Sequence, residues 1–116
     1  MGGLREIATD ELRALLEEGA GVVLVDALSP ISYAGAHLPG AVNIPPERVD
    51  DLAPRRIPAL DSPVVVYCAG EDCDSSVAVA RRLLGLGYRD VRHYAGGKEA
   101  WRASGLPLEG GRTEGV

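Results

Sequence analysis

The chain has 116 residues, of which 46% are hydrophobic and 25% charged, and its net charge is −5. These totals fit one globular domain, and the acidic balance argues against a nucleic acid or an anionic membrane as partner, because both bind basic surfaces. No apolar run approaches the roughly 20 residues of a membrane span, and two cysteines are too few for a secreted disulfide framework, so we expect a cytoplasmic protein.

The first half of the chain predicts alternating helices and strands. Residues 10–18 place leucines on one face and are typical of an amphipathic helix. The run Val22–Val25 has the pattern of a strand buried on both faces, and it ends on Asp26. A short helix over 31–35 and a short strand over 41–44 follow. The charged stretch after them is interrupted by prolines and predicts a surface connection with one or two loose helical turns.

The second half repeats this alternation. A strand is predicted over Val64–Tyr67, a helix over Ser75–Leu86 and a further strand over Val91–Tyr94. Strands that alternate with helices indicate the α/β class, here a single domain with a central parallel sheet of about five short strands covered by helices on both faces. We expect residues 1–108 to form the domain and residues 109–116 to be a disordered tail.

Cys68 directly follows the apolar strand and precedes a polar loop that leads into a helix. Such a turn aims backbone N–H groups and the positive end of the helix at the sulfur, which favours the thiolate, the nucleophilic form. A cysteine that serves only as a small core side chain is the alternative. The position at the carboxyl end of a strand, where α/β sheets place their sites, favours the nucleophile.

Two ordered motifs resemble those of the rhodanese-like sulfurtransferase domains. The residues that carry the resemblance are Asp26, Tyr33, 35–45, 65–68, 83–88, 94–97 and Trp101. The resemblance covers about residues 7–106 and implies one rhodanese-like domain. It also implies that the thiolate of Cys68 takes a sulfane sulfur from a donor, becomes a persulfide, and passes the sulfur to an acceptor thiol or to cyanide. No cofactor is implied.

The predicted active loop departs from the family in length and charge. Its substrate-binding residues are Ala69, Gly70, Glu71, Asp72, Cys73, Asp74, Ser75 and Ser76. The loop is about two residues longer than usual, lacks arginine and lysine, and holds three carboxylates that we expect to face solvent, with Asp74 or Ser75 capping the helix. Thiosulfate is a dianion, so the negative charge of this loop predicts that thiosulfate is a poor sulfur donor for the protein. Leu28 and Ser32 stand where the family commonly has arginine and glutamate, which suggests an ion pair replaced as a unit.

Three further residues have open roles. Cys73 is a candidate resolving residue that converts a Cys68 persulfide into a disulfide; it could also accept the sulfur, or be a bystander. Asp26 and His37 are expected to form a hydrogen-bonded scaffold, with proton handling by His37 as the alternative. His93 is assigned to packing or to the surface. The cysteines and one histidine do not match zinc spacing, so no metal is expected.

The leading prediction is a sulfurtransferase or persulfide carrier. One alternative is a regulatory or interaction module on the same fold, which usually lacks the cysteine. Another is thiol–disulfide chemistry by Cys68 and Cys73, although the C-x-x-C spacing is absent. Phosphatase activity is excluded because Asp74 stands where phosphate binding needs arginine. The expected partners are a small sulfur donor and a thiol acceptor, either small or on a protein, but neither nucleic acid nor membrane, and the expected state is a monomer or weak dimer.

Overall fold

A computed structural model describes residues 4–110 of the chain. The elements in chain order are β1 (Arg5–Glu6), α1 (Thr9–Glu18), β2 (Val23–Asp26), α2 (Pro30–Gly35), β3 (Val42–Asn43), a 3-10 turn (Pro46–Arg48), α3 (Val49–Arg56), β4 (Pro63–Tyr67), α4 (Ser75–Gly85), β5 (Asp90–Tyr94) and α5 (Gly97–Ala103). All strand pairs are parallel, and the sheet order is β1-β5-β4-β2-β3. The predicted α/β class and five-stranded parallel sheet are confirmed.

Both faces of the sheet are covered, and the central strand β4 shows how. Val64 and Val66 point to one face and pack in a core with buried residues of α3 and α4. Val65 and Tyr67 point to the other face, where the buried side chains of α1 and α5 lie. Alternate residues of a strand face opposite sides, so a strand buried on both sides must be apolar throughout. This explains the uninterrupted apolar run that precedes Cys68.

Two parts of the architecture go beyond the sequence predictions. The stretch expected to be a surface connection forms α3, whose residues Val49, Leu52 and Ala53 are buried in the core. The strand β1 is not predicted from the sequence, because its two residues are too few for a periodic pattern. It pairs with β5 and so extends the sheet at one edge. Among the helices within residues 4–110, none is long and apolar enough to cross a bilayer.

The end of the described chain is held by the domain. Glu109, predicted to begin the tail, forms an isolated antiparallel bridge with His37. The amide of His37 donates to the Glu109 carbonyl at 2.9 Å, and the amide of Glu109 donates to the His37 carbonyl at 2.8 Å. The rest of the predicted tail, 111–116, lies outside the described residues, and the 1–108 boundary stays a prediction.

Candidate active site

Cys68 is the first residue after β4 and is only 1% exposed. The first turn of α5 holds the backbone at this point. The amide of Lys98 donates to the carbonyl of Cys68 at 3.0 Å, and the amide of Glu99 donates to the carbonyl of Ala69 at 2.9 Å. A helix has unpaired N–H groups at its N-terminus, and α5 uses two of them to fix the start of the active loop.

The sulfur of Cys68 lies at the N-terminus of α4. Its Sγ is 3.2 Å from the Oγ of Ser76, and the Ser76 backbone N–H also bonds the sulfur. The thiol donates to the carbonyl oxygen of Cys73 at 3.3 Å. The loop therefore folds back over the sulfur, and the helix N-terminus faces it as the sequence predicts.

Opposing effects act on the pKa of the Cys68 thiol. Burial raises the pKa of the Cys68 thiol, hydrogen bonding to Cys73 raises it further, and the two bonds from Ser76 lower it without compensating. The hydrogen bonds from the helix N-terminus therefore favour the thiolate, as the sequence predicts, but desolvation outweighs them and the net shift of the Cys68 pKa is upward. For Cys73, burial acts to raise the pKa, but hydrogen bonds from Cys68 and from the backbone of Ser75 and Ala69 outweigh it and lower the pKa.

His93 contacts the site through Ser76. Its Nε2 lies 2.8 Å from the Ser76 Oγ, and the residue is 8% exposed. Burial lowers the pKa of His93, with a smaller opposing contribution from the negative charge of Glu6, so the imidazole is neutral near pH 7. The assignment of His93 to packing or surface missed this contact. His93 is two residues from Val91 and so faces the same side of β5, and it lies beside Val66 of β4. This spacing from Val91 is the signal that could have placed His93 on the face covered by α4.

The loop carboxylates lie at the surface, as expected. Glu71, Asp72 and Asp74 are exposed, whereas Cys73 is half-buried. The amide of Cys73 donates to the carbonyl of Gly70 at 3.2 Å and closes a turn. Asp74 occupies the N-cap position of α4, but its side chain makes no capping hydrogen bond. The rim of the site is therefore negative and contains no cation between Cys68 and the helix.

Asp26 is fully buried beside the strand that leads to Cys68. One carboxylate oxygen accepts from the amide of Leu28 at 2.9 Å, and the other accepts from the hydroxyl of Tyr67 at 2.9 Å. The same hydroxyl accepts from the amide of Leu38 at 2.9 Å. Burial raises the pKa of Asp26 although these hydrogen bonds act to lower it. The network ties the turn after α2 to Tyr67, the residue before Cys68.

Lys98, the chain's single lysine, supplies the countercharge for Asp26. Its Nζ lies 3.9 Å from Asp26 Oδ2 and donates to the carbonyl of Ser32 at 3.1 Å. The interpretation that an ion pair was replaced as a unit at Leu28 and Ser32 stays a prediction, and the cation beside Asp26 comes from α5. Burial lowers the pKa of Lys98, and the Asp26 charge opposes this.

His37 lies in the turn after α2. Its Nδ1 is 2.8 Å from the carbonyl of Tyr33, its ring stacks on the Tyr33 ring at 4.0 Å, and its Nε2 lies 3.7 Å from Glu109 Oε1. These contacts are with the turn and the chain end rather than with the active loop. The scaffold role for Asp26 and His37 stays a prediction that these contacts fit. In the part of the chain from 4 to 110, no three His, Cys, Asp or Glu side chains are grouped to hold a metal ion.

A comparison with protein-family profiles assigns most of the chain to one family. The profile of the Rhodanese-like domain matches residues 8–104. The chain belongs to the rhodanese-like family. This confirms the resemblance derived from the ordered motifs around Asp26 and Cys68.

Known relatives of this rhodanese-like protein include sulfurtransferases and a regulator. It is 35% identical over 104 residues to thiosulfate sulfurtransferase GlpE of Pseudomonas syringae pv. syringae, with 90% of this chain and 92% of the relative covered. It is 34% identical over 99 residues to an HTH-type transcriptional regulator of Mycobacterium tuberculosis, of which only 42% is covered, against 84% of this chain. The human single domain sulfurtransferase TSTD1 superposes with a TM-score of 0.75 at 26% identity, covering 87% of this chain and 97% of that structure. The relatives support a sulfurtransferase-type function in general terms.

Proposed function

We propose that this rhodanese-like protein is a sulfurtransferase that carries sulfane sulfur as a persulfide on Cys68. The observation that carries the proposal is the place of the Cys68 Sγ: it follows the central strand, lies 3.2 Å from Ser76 Oγ and faces the N-terminus of α4. Hydrogen-bond donors aimed at a sulfur stabilise it whenever it bears negative charge. That charge is present on the attacking thiolate and again on the thiolate that leaves.

The reaction has two balanced steps. In the first, the Cys68 thiolate attacks the outer sulfur of the donor, an S–S bond forms, and the donor's remaining group departs with the electron pair of the broken bond. In the second, an acceptor thiolate or cyanide attacks the terminal sulfur of the persulfide, and Cys68 leaves as a thiolate. The Ser76 hydroxyl lies 3.2 Å from the sulfur, and hydrogen bonds from Ser76 act to lower the pKa of the thiol, so they lower the cost of a buried thiolate in either step.

Intact-mass measurement tests the proposal directly. The protein is incubated with thiosulfate, with a polysulfide and with a cysteine persulfide, and then separated from the donor. We expect a mass gain of one sulfur atom that is lost in Cys68→Ser and kept in Cys73→Ser. If no donor produces this gain in the folded wild-type protein, the proposal is wrong. The interaction module would then be favoured, in line with the match to part of a transcriptional regulator.

The negative rim predicts donor selectivity. Glu71, Asp72 and Asp74 are exposed around a sulfur whose loop has no cation, so the thiosulfate dianion is repelled while a neutral or thiol-bound sulfane donor is not. We expect kcat/KM to be lower for thiosulfate. A Glu71→Lys variant should raise kcat/KM for thiosulfate by at least about threefold, because each pair of unit charges about 6 Å apart in water is worth about 0.7 kcal/mol and the substitution changes the charge by two units.

The control for this prediction is Glu17→Lys, which makes the same charge change on the exposed surface of α1. It should leave the ratio of the two donors unchanged. The gain in Glu71→Lys should also fall as salt is added, since exposed charges are screened. Equal kcat/KM for the two donors in the wild-type protein would contradict the prediction.

Cys73 is the proposed resolving residue. Its carbonyl already accepts the Cys68 thiol at 3.3 Å, and its own pKa is lowered by the hydrogen bonds that outweigh burial. In the resolving step the Cys73 thiolate attacks Cys68 Sγ, the disulfide forms, and hydrosulfide leaves with the electron pair. After sulfur loading and removal of the donor, we expect wild-type protein to lose the extra sulfur and two hydrogens. In Cys73→Ser the persulfide should persist for longer. Decay of both proteins to free thiol at equal rates would remove the resolving role.

A further inference from the structure

A hydrogen-bonded path joins the nucleophile to a buried imidazole that the proposed reaction does not yet use. The Cys68 Sγ lies 3.2 Å from Ser76 Oγ, and the same oxygen lies 2.8 Å from His93 Nε2. All three residues are buried, with 1%, 1% and 8% of their surfaces exposed. A hydroxyl can accept one proton while it gives up its own, so Ser76 can pass a proton between the other two groups.

The thiol needs such a path because it reaches water poorly. Burial raises the pKa of the Cys68 thiol, and in the described chain this thiol contacts the Cys73 carbonyl, the Cys73 side chain and the Ser76 hydroxyl. A carbonyl oxygen is a weak base that does not take the proton. The Ser76 hydroxyl is the contact through which the proton can reach His93, and a neutral imidazole is a base of suitable strength.

We propose that His93 is a positioning residue that receives the Cys68 proton through Ser76. The S–H first turns from the Cys73 carbonyl to Ser76 Oγ. The thiol proton then moves to Ser76 Oγ as the serine proton moves to His93 Nε2, and the sulfur keeps the electron pair of its S–H bond. The products are a thiolate, an unchanged serine and an imidazolium. The Ser76 O–H now donates to the thiolate and the imidazolium N–H donates to Ser76. The inference rests on the proposed function, in which this thiolate attacks the donor.

The charges around His93 favour this step. From β1, Glu6 pairs in register with His93, and its negative charge acts to raise the pKa of the imidazole. The other ionisable neighbours on the path are Cys68 at the end of β4 and Cys73 in the loop. Burial keeps the imidazole neutral before the transfer. The path requires the tautomer with its proton on Nδ1, which leaves Nε2 free to accept.

Alkylation of a single thiol tests the relay without any sulfur transfer. In a Cys73→Ser background, Cys68 is the one remaining cysteine, and its rate of reaction with iodoacetamide is measured from pH 6 to 10. His93→Gln keeps a group able to bond Ser76 but cannot take a proton, His93→Leu loses both properties, and Ser76→Ala breaks the path. We expect each to slow alkylation near neutral pH by about tenfold, the factor that corresponds to one pKa unit of the thiol.

His37→Gln is the matched control, since it makes the same change at the chain's other histidine and should leave the pH profile unchanged. If folded His93→Gln protein reacts with iodoacetamide at the same rate as the Cys73→Ser protein at every pH, the proposed proton transfer to His93 is wrong, whether or not Cys68 forms a persulfide. Thermal unfolding confirms that each variant is folded. A second measurement needs no His93 variant. In an NMR titration, the His93 signal should show a second step at the pH where Cys68 ionises, and this step should be absent in Cys68→Ser. A His93 signal that is the same in both proteins also overturns the proposal.

Discussion

Replacement of Gly97 by alanine is expected to lower the free energy of unfolding by about 2–5 kcal/mol and to disturb the reaction of Cys68. Gly97 opens α5 with a φ of +59°, a conformation that costs a residue with a Cβ about 1–2 kcal/mol. A Cβ there would also overlap the carbonyl oxygen of Cys68 and lie 3.0 Å from that of Ala69. These are the two carbonyls that the α5 amides bind, so the clash pushes the helix away from the active loop.

Two other glycines separate backbone strain from the clash. Gly105 has a φ of +81°, but a Cβ added there would meet nothing within 4 Å, so Gly105→Ala should cost the strain alone. Gly35 has neither the positive φ nor a close neighbour, so Gly35→Ala should be nearly neutral. The expected order of destabilisation in urea is Gly97, then Gly105, then Gly35. Equal losses at Gly97 and Gly105 would show that the contact with the loop contributes nothing.

Replacement of Lys98 by methionine is expected to destabilise the fold by about 3 kcal/mol. The change removes the cation 3.9 Å from a carboxylate that is fully buried, and the Asp26 charge is then left without a counter-ion. The double variant Asp26→Asn/Lys98→Met should lose less than Lys98→Met alone, because it removes both charges. Arg102→Met removes an exposed cation from the same helix and should change stability by less than about 0.5 kcal/mol.

The pH dependence of the Lys98 variant has a defined sign. Burial already raises the pKa of Asp26 in the folded protein, and the Lys98 charge acts to lower it, so Lys98→Met raises it further. Native Asp26 then binds a proton at a higher pH than unfolded Asp26, whose pKa is near 3.9. As the pH falls from 7 towards that value, the native state gains stability relative to the unfolded state. The deficit of Lys98→Met against wild type should shrink in acid; a deficit that is constant or grows would contradict this charge account.

The sequence predicts the nucleophile and the sheet because both depend on local patterns. The apolar residues before Cys68 are typical of a strand buried on both faces, and the loop and helix after it place the sulfur at a helix N-terminus. Lys98 and His93 could not be assigned in the same way. Their contacts depend on which strands are neighbours and on how α5 crosses the sheet end, and they join positions far apart in the chain.

The net direction of the Cys68 pKa shift could not be predicted from the sequence for a related reason. The local pattern gives the donors that stabilise a thiolate, but desolvation depends on how completely the loop covers the sulfur. That cover comes from the Cys73 carbonyl and from residues of α4 and β5, which assemble only in the folded domain. Electrostatic effects of a few kcal/mol oppose each other here, so the sign of the pKa shift follows from packing rather than from the motif.

The loop that covers Cys68 also bears on the rate at which a large acceptor could react with the sulfur. Cys68 is 1% exposed and follows a strand that is hydrogen-bonded on both sides, to β2 and to β5. The strand end cannot move without disrupting the sheet, so access for a protein-borne thiol requires the turn between Gly70 and Cys73 to open. In the proposed reaction, turnover with a bulky acceptor is therefore expected to be limited by the opening rate of that turn, whereas a small ion such as cyanide is less constrained.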